Sequence, residues 1–102
     1  QFAINAAAEF AGVMADWQVN GVSVHKVTAA GDVGINQPSI AASATLDIVS
    51  TTKGVLMPRM TKTQRDAISS PATGLMIYQT DNTPGLRVYN GTNWMRYTET
   101  TD

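Results

Sequence analysis

The sequence predicts a mainly β protein with one short α-helix, and three observations support this fold class. Apolar and polar residues alternate on both sides of Asn20-Gly21, a dipeptide that accepts the positive φ angles of a two-residue hairpin turn. Further alternating segments, separated by turn-forming residues, follow near the C-terminus. Between these regions, Thr61 and Gln64 have the spacing of a capping box at the start of a helix.

The first half of the chain is rich in Ala, Val, Gly and Ser. We predict a hairpin about Asn20-Gly21 whose second arm runs from Val22 to Val27. After it, Gly31, Gly34 and Pro38 are expected to interrupt regular strand pairing.

Residues 1–16 fit two periodicities. Strand-like alternation is shown by Phe2, Ile4, Ala6, Ala8 and Phe10, whereas helical spacing is shown by Phe10, Val13, Met14 and Trp17. The high Ala content also favours a helix. We favour an extended, intertwined β segment, because the hairpin that follows continues the alternation.

The second half contains clearer signals for turns and for the end of a helix. We predict a helix over residues 62–68, ended by Ser69, Ser70 and Pro71, since proline cannot continue the hydrogen-bond ladder. Three strands, over residues 75–79, 86–89 and 94–97, then form a meander through turns at 80–85 and 90–93. A helix of about two turns is unstable alone, so we expect packing to hold it.

We therefore divide the chain into a β-rich stalk segment, residues 1–50, and a compact tip module, residues 51–102. A module of about 50 residues buries too little surface to be comfortably stable without disulfides, metal or oligomerisation. The chain has no Cys, and no metal cluster is visible, so we expect self-association. The candidate contacts between copies are apolar residues of the tip module: Leu56, Met57, Met60, Ile68, Leu75, Ile77 and Trp94. Val55, Val88, Met95 and Tyr97 add further apolar surface, more than one thin sheet can cover.

Charge argues against several classes of partner. The net charge is −1, and no run of Lys and Arg is interleaved with aromatic residues, so nucleic-acid binding is not expected. No apolar run approaches the ~18 residues of a membrane span, so we expect no membrane insertion.

The later residues form an ordered series of short blocks. They are Val33-Gly-Ile35, Pro38-Ser39, Ala44-Thr-Leu-Asp-Ile48, Ser50-Thr-Thr-Lys-Gly54, Leu56-Met-Pro-Arg-Met-Thr61, Gln64-Arg-Asp-Ala-Ile68, Pro71-Ala-Thr-Gly-Leu75, Ile77-Tyr78 and Tyr89-Asn-Gly-Thr-Asn-Trp94. This series, over about residues 33–97, resembles the C-terminal module of bacteriophage tail-fibre and fibre-like virion proteins. In many relatives that module precedes an intramolecular chaperone domain of the endosialidase type. The resemblance implies an elongated, intertwined homotrimer with a β-rich stalk and a small three-stranded meander tip.

Few residues suggest chemistry, and we expect no enzyme, no cofactor and no metal site. His25 is the only His and has no cluster of acids beside it in the sequence. Asp81 and Asn82 lack the spacing of a calcium loop, so a turn is expected there. Arg59 and Arg65 are expected to pair with Asp66, Asp47 or acids of a neighbouring chain, the alternative being an acidic sugar or phosphate. Tyr78, Tyr89, Trp94 and Tyr97 are expected in a core or interface, the alternative being a platform for a sugar.

We accordingly expect a structural protein on the virion surface: a homotrimeric fibre, spike or head-decoration subunit that contacts other virion proteins and takes part in host attachment. The alternative is a glycan-binding adhesion module of a phage or bacterial surface protein. Candidate receptor contacts lie in the two turns of the meander: Asp81, Asn82, Asn90, Thr92 and Asn93. A hydrolase that degrades surface polysaccharide has little support, because it needs paired carboxylates and acids are scarce in this half of the chain.

Overall fold

The computed structural model describes residues 12–102. The chain divides into two compact units, Gln1–Lys53 and Gly54–Asp102, of which the first is described from Gly12 onward. Most of the segment for which strand and helix both remained open, residues 1–11, lies outside the described residues. No helix within the described range is long and apolar enough to cross a bilayer.

The first unit contains one four-stranded sheet, here called the first sheet. Its strands are β1 (Val13–Val19), β2 (Val22–Thr28), β3 (Val33–Ile35) and β4 (Leu46–Ile48), arranged in chain order. The pairs β1–β2 and β2–β3 are antiparallel, and β3–β4 is parallel. The predicted hairpin is confirmed: Asn20 and Gly21 join β1 to β2 with φ angles of 51° and 79°, as a turn of this type requires.

The expected interruptions at Gly31 and Pro38 are confirmed, since both residues lie outside the strands. The interruption expected at Gly34 is wrong, because this residue lies inside β3 and pairs with Lys26. A Cβ atom at Gly34 would lie 2.6 Å from the carbonyl oxygen of Gln37 and 2.8 Å from Cγ1 of Ile40. This glycine therefore allows the following loop to lie directly against the strand. Asp47 of β4 holds the same loop, since its Oδ2 accepts hydrogen bonds from the Ala41 amide (3.0 Å) and the Gln37 side chain (3.3 Å).

The second unit contains the second sheet and one helix. The elements are β5 (Arg59–Met60), α1 (Lys62–Asp66), β6 (Met76–Gln79), β7 (Gly85–Tyr89) and β8 (Trp94–Arg96), with the strands again in chain order. The predicted meander of β6, β7 and β8 is confirmed, but the sheet has four strands because β5 pairs in parallel with β6. Two residues are too few to show an alternating pattern, so the sequence did not indicate β5.

The helix begins as predicted and ends earlier. The Thr61 hydroxyl accepts from the Gln64 amide (3.2 Å), and the Gln64 side chain accepts from the Thr61 amide (2.9 Å), which completes the capping box. Asp81 satisfies another amide of the first turn, since its Oδ1 accepts from Lys62 at 2.7 Å. The helix ends at Asp66 with Ala67 as its C-cap, two residues before the predicted Ile68.

Candidate assembly interface

The register of the second sheet assigns its side chains to two faces. Residues paired between strands share a face, and neighbours along one strand point to opposite faces. The pairs Ile77↔Arg87 and Gln79↔Gly85 therefore lie on one face, which we call the covered face because α1 packs there. The pairs Met76↔Val88, Tyr78↔Leu86 and Val88↔Met95 lie on the other. Tyr97 continues it, as its amide donates to the Leu86 carbonyl at 3.2 Å. We call this second face the apolar face; its apolar and aromatic residues are Met76, Tyr78, Leu86, Val88, Met95 and Tyr97. Arg59, which pairs with Tyr78, lies on the same face at the β5 edge.

The covered face holds the core of this unit, and most of that core is polar. Ile77 is 2% exposed, Gln79 1% and Arg87 4%. The Gln79 side chain accepts from Arg65 Nη1 of the helix at 2.7 Å and donates to the carbonyls of Asp81 (2.7 Å) and Asn82 (3.1 Å). Within the described residues, no buried side-chain nitrogen or oxygen lacks a hydrogen-bond partner. Gln79 therefore joins the helix to the turn after β6.

Hydrogen bonds from buried side chains hold the turn at residues 80–85. Asn82 and Thr83 have φ angles of 44° and 67°, a left-handed conformation that is rare for a β-branched residue and costs about 1–3 kcal/mol. Arg87 Nη2 donates to the Thr83 carbonyl (2.5 Å) and the Asn82 carbonyl (3.4 Å). Together with the bonds from Gln79, these contacts offset the cost and fix the turn in one conformation.

The arginines of the covered face differ in how their charges are balanced. Arg65 pairs with Asp66 at 2.7 Å, which confirms the pairing expected from the sequence, and its guanidinium lies 5.6 Å from the centre of the Trp94 ring. Burial lowers the pKa of Arg87, and the positive charges of Arg65 and Arg96 lower this pKa further. No ion pair joins Arg87 to a carboxylate in the described part of the chain, so backbone carbonyls provide its acceptors. Arg59 belongs to the other face, because it pairs with Tyr78, and it is exposed. Within residues 12–102 no acid pairs with it, so the pairing expected for Arg59 inside the chain is not found.

The apolar face is uncovered in the single chain. Met76, Leu86 and Met95 are 42%, 37% and 50% exposed, and Tyr97 is 71% exposed, while Tyr78 and Val88 are half-buried. Six adjoining apolar or aromatic side chains on one sheet face form the kind of patch that marks an interaction surface. In this unit Gln79 and Arg87 are buried beside Ile77, while apolar side chains of the opposite face are exposed.

The apolar residues singled out in the sequence are distributed over several environments. Ile77 belongs to the internal core, so it is not exposed for contact with another copy. Met60 and Trp94 lie on the covered face by register and are half-buried, as are Met57, Ile68 and Leu75. Leu56, in contrast, is 74% exposed.

Sequence reasoning missed the apolar face as a unit. The alternation along β6 and β7 does separate the two faces. However, the usual assumption that Gln and Arg face water assigns Gln79 and Arg87 to the wrong side. The apolar face can therefore be recognised only when the hydrogen bonds of buried Gln79 and Arg87 are known.

The candidate receptor contacts do not form one surface. The turns at 80–85 and 90–93 lie at opposite ends of β7. Two of the five side chains also have structural roles: Asp81 caps the helix, and Asn90 Oδ1 accepts from the amides of Thr92 (2.9 Å) and Asn93 (2.7 Å). The exposed remainder is Asn82 on one turn and Thr92 and Asn93 on the other.

The four aromatic residues considered for sugar stacking are also divided. Tyr89 and Trp94 contact each other edge to face at 5.3 Å on the covered face, whereas Tyr78 and Tyr97 lie on the apolar face. They therefore do not form a common platform. His25, in the first sheet, contacts Trp17 edge to face at 5.2 Å, and residues 12–102 contain no group of His, Asp and Glu arranged to hold a metal ion.

The comparison with known families gives one match. Residues 34–102 match the family described as phage tail like trimerisation region. This span covers more than half of the chain and includes the whole second unit. It confirms, at the level of the family, the resemblance to phage fibre modules. No curated protein and no solved structure matches the chain.

Proposed function

Because the chain belongs to the phage tail-like trimerisation family, we propose that it is a structural phage protein whose second unit assembles three copies through the apolar face. One observation carries the proposal. The second sheet has its own buried core on the covered face, yet it leaves Met76, Leu86 and Met95 exposed on the opposite face. The matched span contains that entire face.

Further copies of the same chain are the occupants that best fit the apolar face. The unit has fewer than 50 residues after Lys53 and no disulfide, so its stability gains from burying more apolar surface. Burial contributes about 25 cal/mol per Å² of apolar surface removed from water. Assembly of identical chains covers every copy of the face at once.

The finer role that we propose is a fibre, spike or head-decoration subunit at the virion surface, held among other virion proteins. Residues 1–50 would form an intertwined stalk and residues 51–102 the compact tip. Dissociation of such a trimer requires unfolding, so the particle is kinetically durable. The role is mechanical, and we assign no catalytic step to it.

The oligomeric mass tests the proposal. Native mass spectrometry or light scattering should give three times the 10.9 kDa of one chain. Met95→Asp and Leu86→Asp should weaken the trimer, because each places a charge on the apolar face. The matched control is Thr92→Asp, an exposed position in the turn after β7, which should leave the mass unchanged. A monomeric mass for the unsubstituted protein would exclude the proposal.

A second role, contact with a host-surface glycan, is favoured by the turn at residues 80–85. Buried Gln79 and Arg87 hold its backbone in one conformation while the Asn82 side chain faces solvent, and a fixed polar loop binds with less loss of entropy. Asn82→Gly keeps the left-handed backbone and removes the amide. If the turn binds, adsorption to host cells should fall for Asn82→Gly and remain unchanged for Thr63→Ala, an exposed position on α1 outside both turns. Equal adsorption by all three proteins would restrict the function to assembly.

A further inference from the structure

A trimer with three-fold symmetry needs two different contact surfaces on each chain. Around a three-fold axis, each copy presents one surface to the copy before it and another to the copy after it, and the ring closes after three contacts. We assign the apolar face to one of these surfaces. The other surface then has to be apolar as well and exposed on the single chain.

The segment of residues 54–57 has the expected properties. Leu56 is 74% exposed and Val55 56% exposed, and Leu56 is the most exposed large apolar side chain of the described residues. No backbone hydrogen bond joins residues 54–57 to another part of the described chain. The next residue is fixed, because the Pro58 carbonyl accepts from the Tyr78 amide at 2.8 Å. We call this exposed apolar segment, which enters β5 through Pro58, the arm.

The strand order sets the position of this arm relative to the apolar face. β5 and β8 are the two edges of the second sheet, so the arm begins at one edge. The most exposed residues of the apolar face, Met95 and Tyr97, lie in or directly after β8 at the other edge. The two edges are about 14 Å apart across three strand spacings. Met57, nearest to β5, is half-buried, whereas Val55 and Leu56 are not covered by their own sheet.

We propose that Val55 and Leu56 of each copy pack on Met95 and Tyr97 of the next copy. This inference rests on the proposed trimer and specifies its contacts. Each chain gives its arm to one neighbour and receives the arm of the other, so the apolar face of every copy is completed by a neighbouring chain. In the closed ring, every arm contacts an apolar face and every apolar face receives an arm.

Disulfide crosslinking tests this arrangement directly, because the chain contains no Cys. Chains of two sizes are refolded together, one carrying Leu56→Cys and the other Met95→Cys, and then oxidised. Non-reducing gel electrophoresis should show a covalent pair that contains one chain of each size. The double variant Leu56→Cys, Met95→Cys should give covalent trimers.

Two controls make the result decisive. Leu56→Cys mixed with Thr92→Cys should give no covalent pair, since Thr92 lies in a turn outside the apolar face. Leu56→Cys with Tyr97→Cys provides a second reporter for the same contact. Absence of both crosslinks in a protein of trimeric mass, or crosslinks only within one chain, would overturn the arm contact and leave the trimer standing. A monomeric mass for the Cys-free protein would instead overturn the proposed function.

Discussion

The two sheets of this protein have the same strand order but are stabilised by different contacts. Each has four strands in chain order with a single parallel pair. The second sheet packs a helix against β6, where Arg65 bonds Gln79, whereas the first is approached at Gly34 by a loop. Ile77 is the only large apolar side chain that is fully buried in the described residues. The second sheet therefore has an internal core, and the first leaves its large apolar side chains at least partly exposed.

This difference shows that apolar content alone does not create a core. The first sheet has Trp17, Val19, Val22 and Leu46, all more than half exposed. A sheet needs a covering layer to bury one face, and in the described part of the first unit the loop after β3 is the segment that lies against the sheet. We expect the first sheet to depend more strongly on neighbouring chains.

The largest expected effect comes from two isoleucines, one in each sheet. Ile77→Ala should lower the free energy of unfolding by about 2–5 kcal/mol, because it leaves a cavity in the internal core. Ile48→Ala, at a position 38% exposed in β4, should cost about 1 kcal/mol or less. Urea denaturation at one fixed chain concentration measures both. Equal losses would contradict the comparison and would show that neighbouring chains bury Ile48 as fully as the helix buries Ile77.

Two glutamines provide the next comparison. Gln79→Leu should destabilise the protein by roughly 3 kcal/mol, since Arg65 Nη1 and the Asp81 carbonyl lose their buried partner. The Asn82 carbonyl keeps only the long bond from Arg87. Gln37→Leu removes two long hydrogen bonds of 3.3 Å at a half-buried position, so we expect about 1 kcal/mol or less. Thermal denaturation followed by circular dichroism compares the two. A larger loss for Gln37→Leu would place the more important polar network in the first sheet.

Two glycines test where the chain packs closely. Gly34→Ala should cost about 1–3 kcal/mol, because its Cβ would lie 2.6 Å from the Gln37 carbonyl oxygen and the loop would have to move. Gly54→Ala has no atom within 4 Å of its Cβ, and it should leave stability unchanged or raise it by about 0.5 kcal/mol through the unfolded chain. Urea midpoints distinguish these outcomes. A stable Gly34→Ala protein would show that the loop does not lie against β3.

The smallest effect concerns one exposed carboxyl in each unit. The Lys62 hydrogen bond, followed by that of Arg65, lowers the pKa of Asp66, while hydrogen bonds from Gln18 and Ser23 lower the pKa of Asp16. A lowered pKa in the folded state stabilises the protein above the unfolded value of about 3.9. That contribution is lost as the pH falls through the lower, folded value.

The matched variants Asp66→Asn and Asp16→Asn should therefore differ slightly from the unsubstituted protein at neutral pH and converge with it in acid. Added salt should reduce the effect of Asp66→Asn more, because its partners are charged. Unfolding curves at several pH values and two salt concentrations measure this. An effect of Asp66→Asn that persists fully in acid would exclude the charge interaction as its cause.

The parts that the sequence predicted correctly depend on neighbours in the chain. The hairpin at Asn20-Gly21 and the capping box of Thr61 and Gln64 each involve residues within a few positions of one another. Their backbone geometry follows from local steric and hydrogen-bonding rules. The meander followed for the same reason, since its strands are consecutive and its turns are rich in Asn, Asp and Gly.

The parts that it did not predict depend on distant contacts. The parallel strands β4 and β5 pair with residues far along the chain or are too short to show a period. The polar core is another such case: Gln79 and Arg87 are buried because the helix and the turn at 80–85 bring Arg65 and three carbonyls to them.

By itself, the sequence determined a mainly β chain with one capped helix, and its ordered blocks carry membership of a phage tail-like trimerisation family. Only the tertiary structure decided which face of the second sheet is free. The alternation of residues along a strand indicates that its two faces differ, but the position of the helix decides which face is covered. Because α1 lies over the polar residues, Met76, Leu86 and Met95 are left for contacts outside the chain.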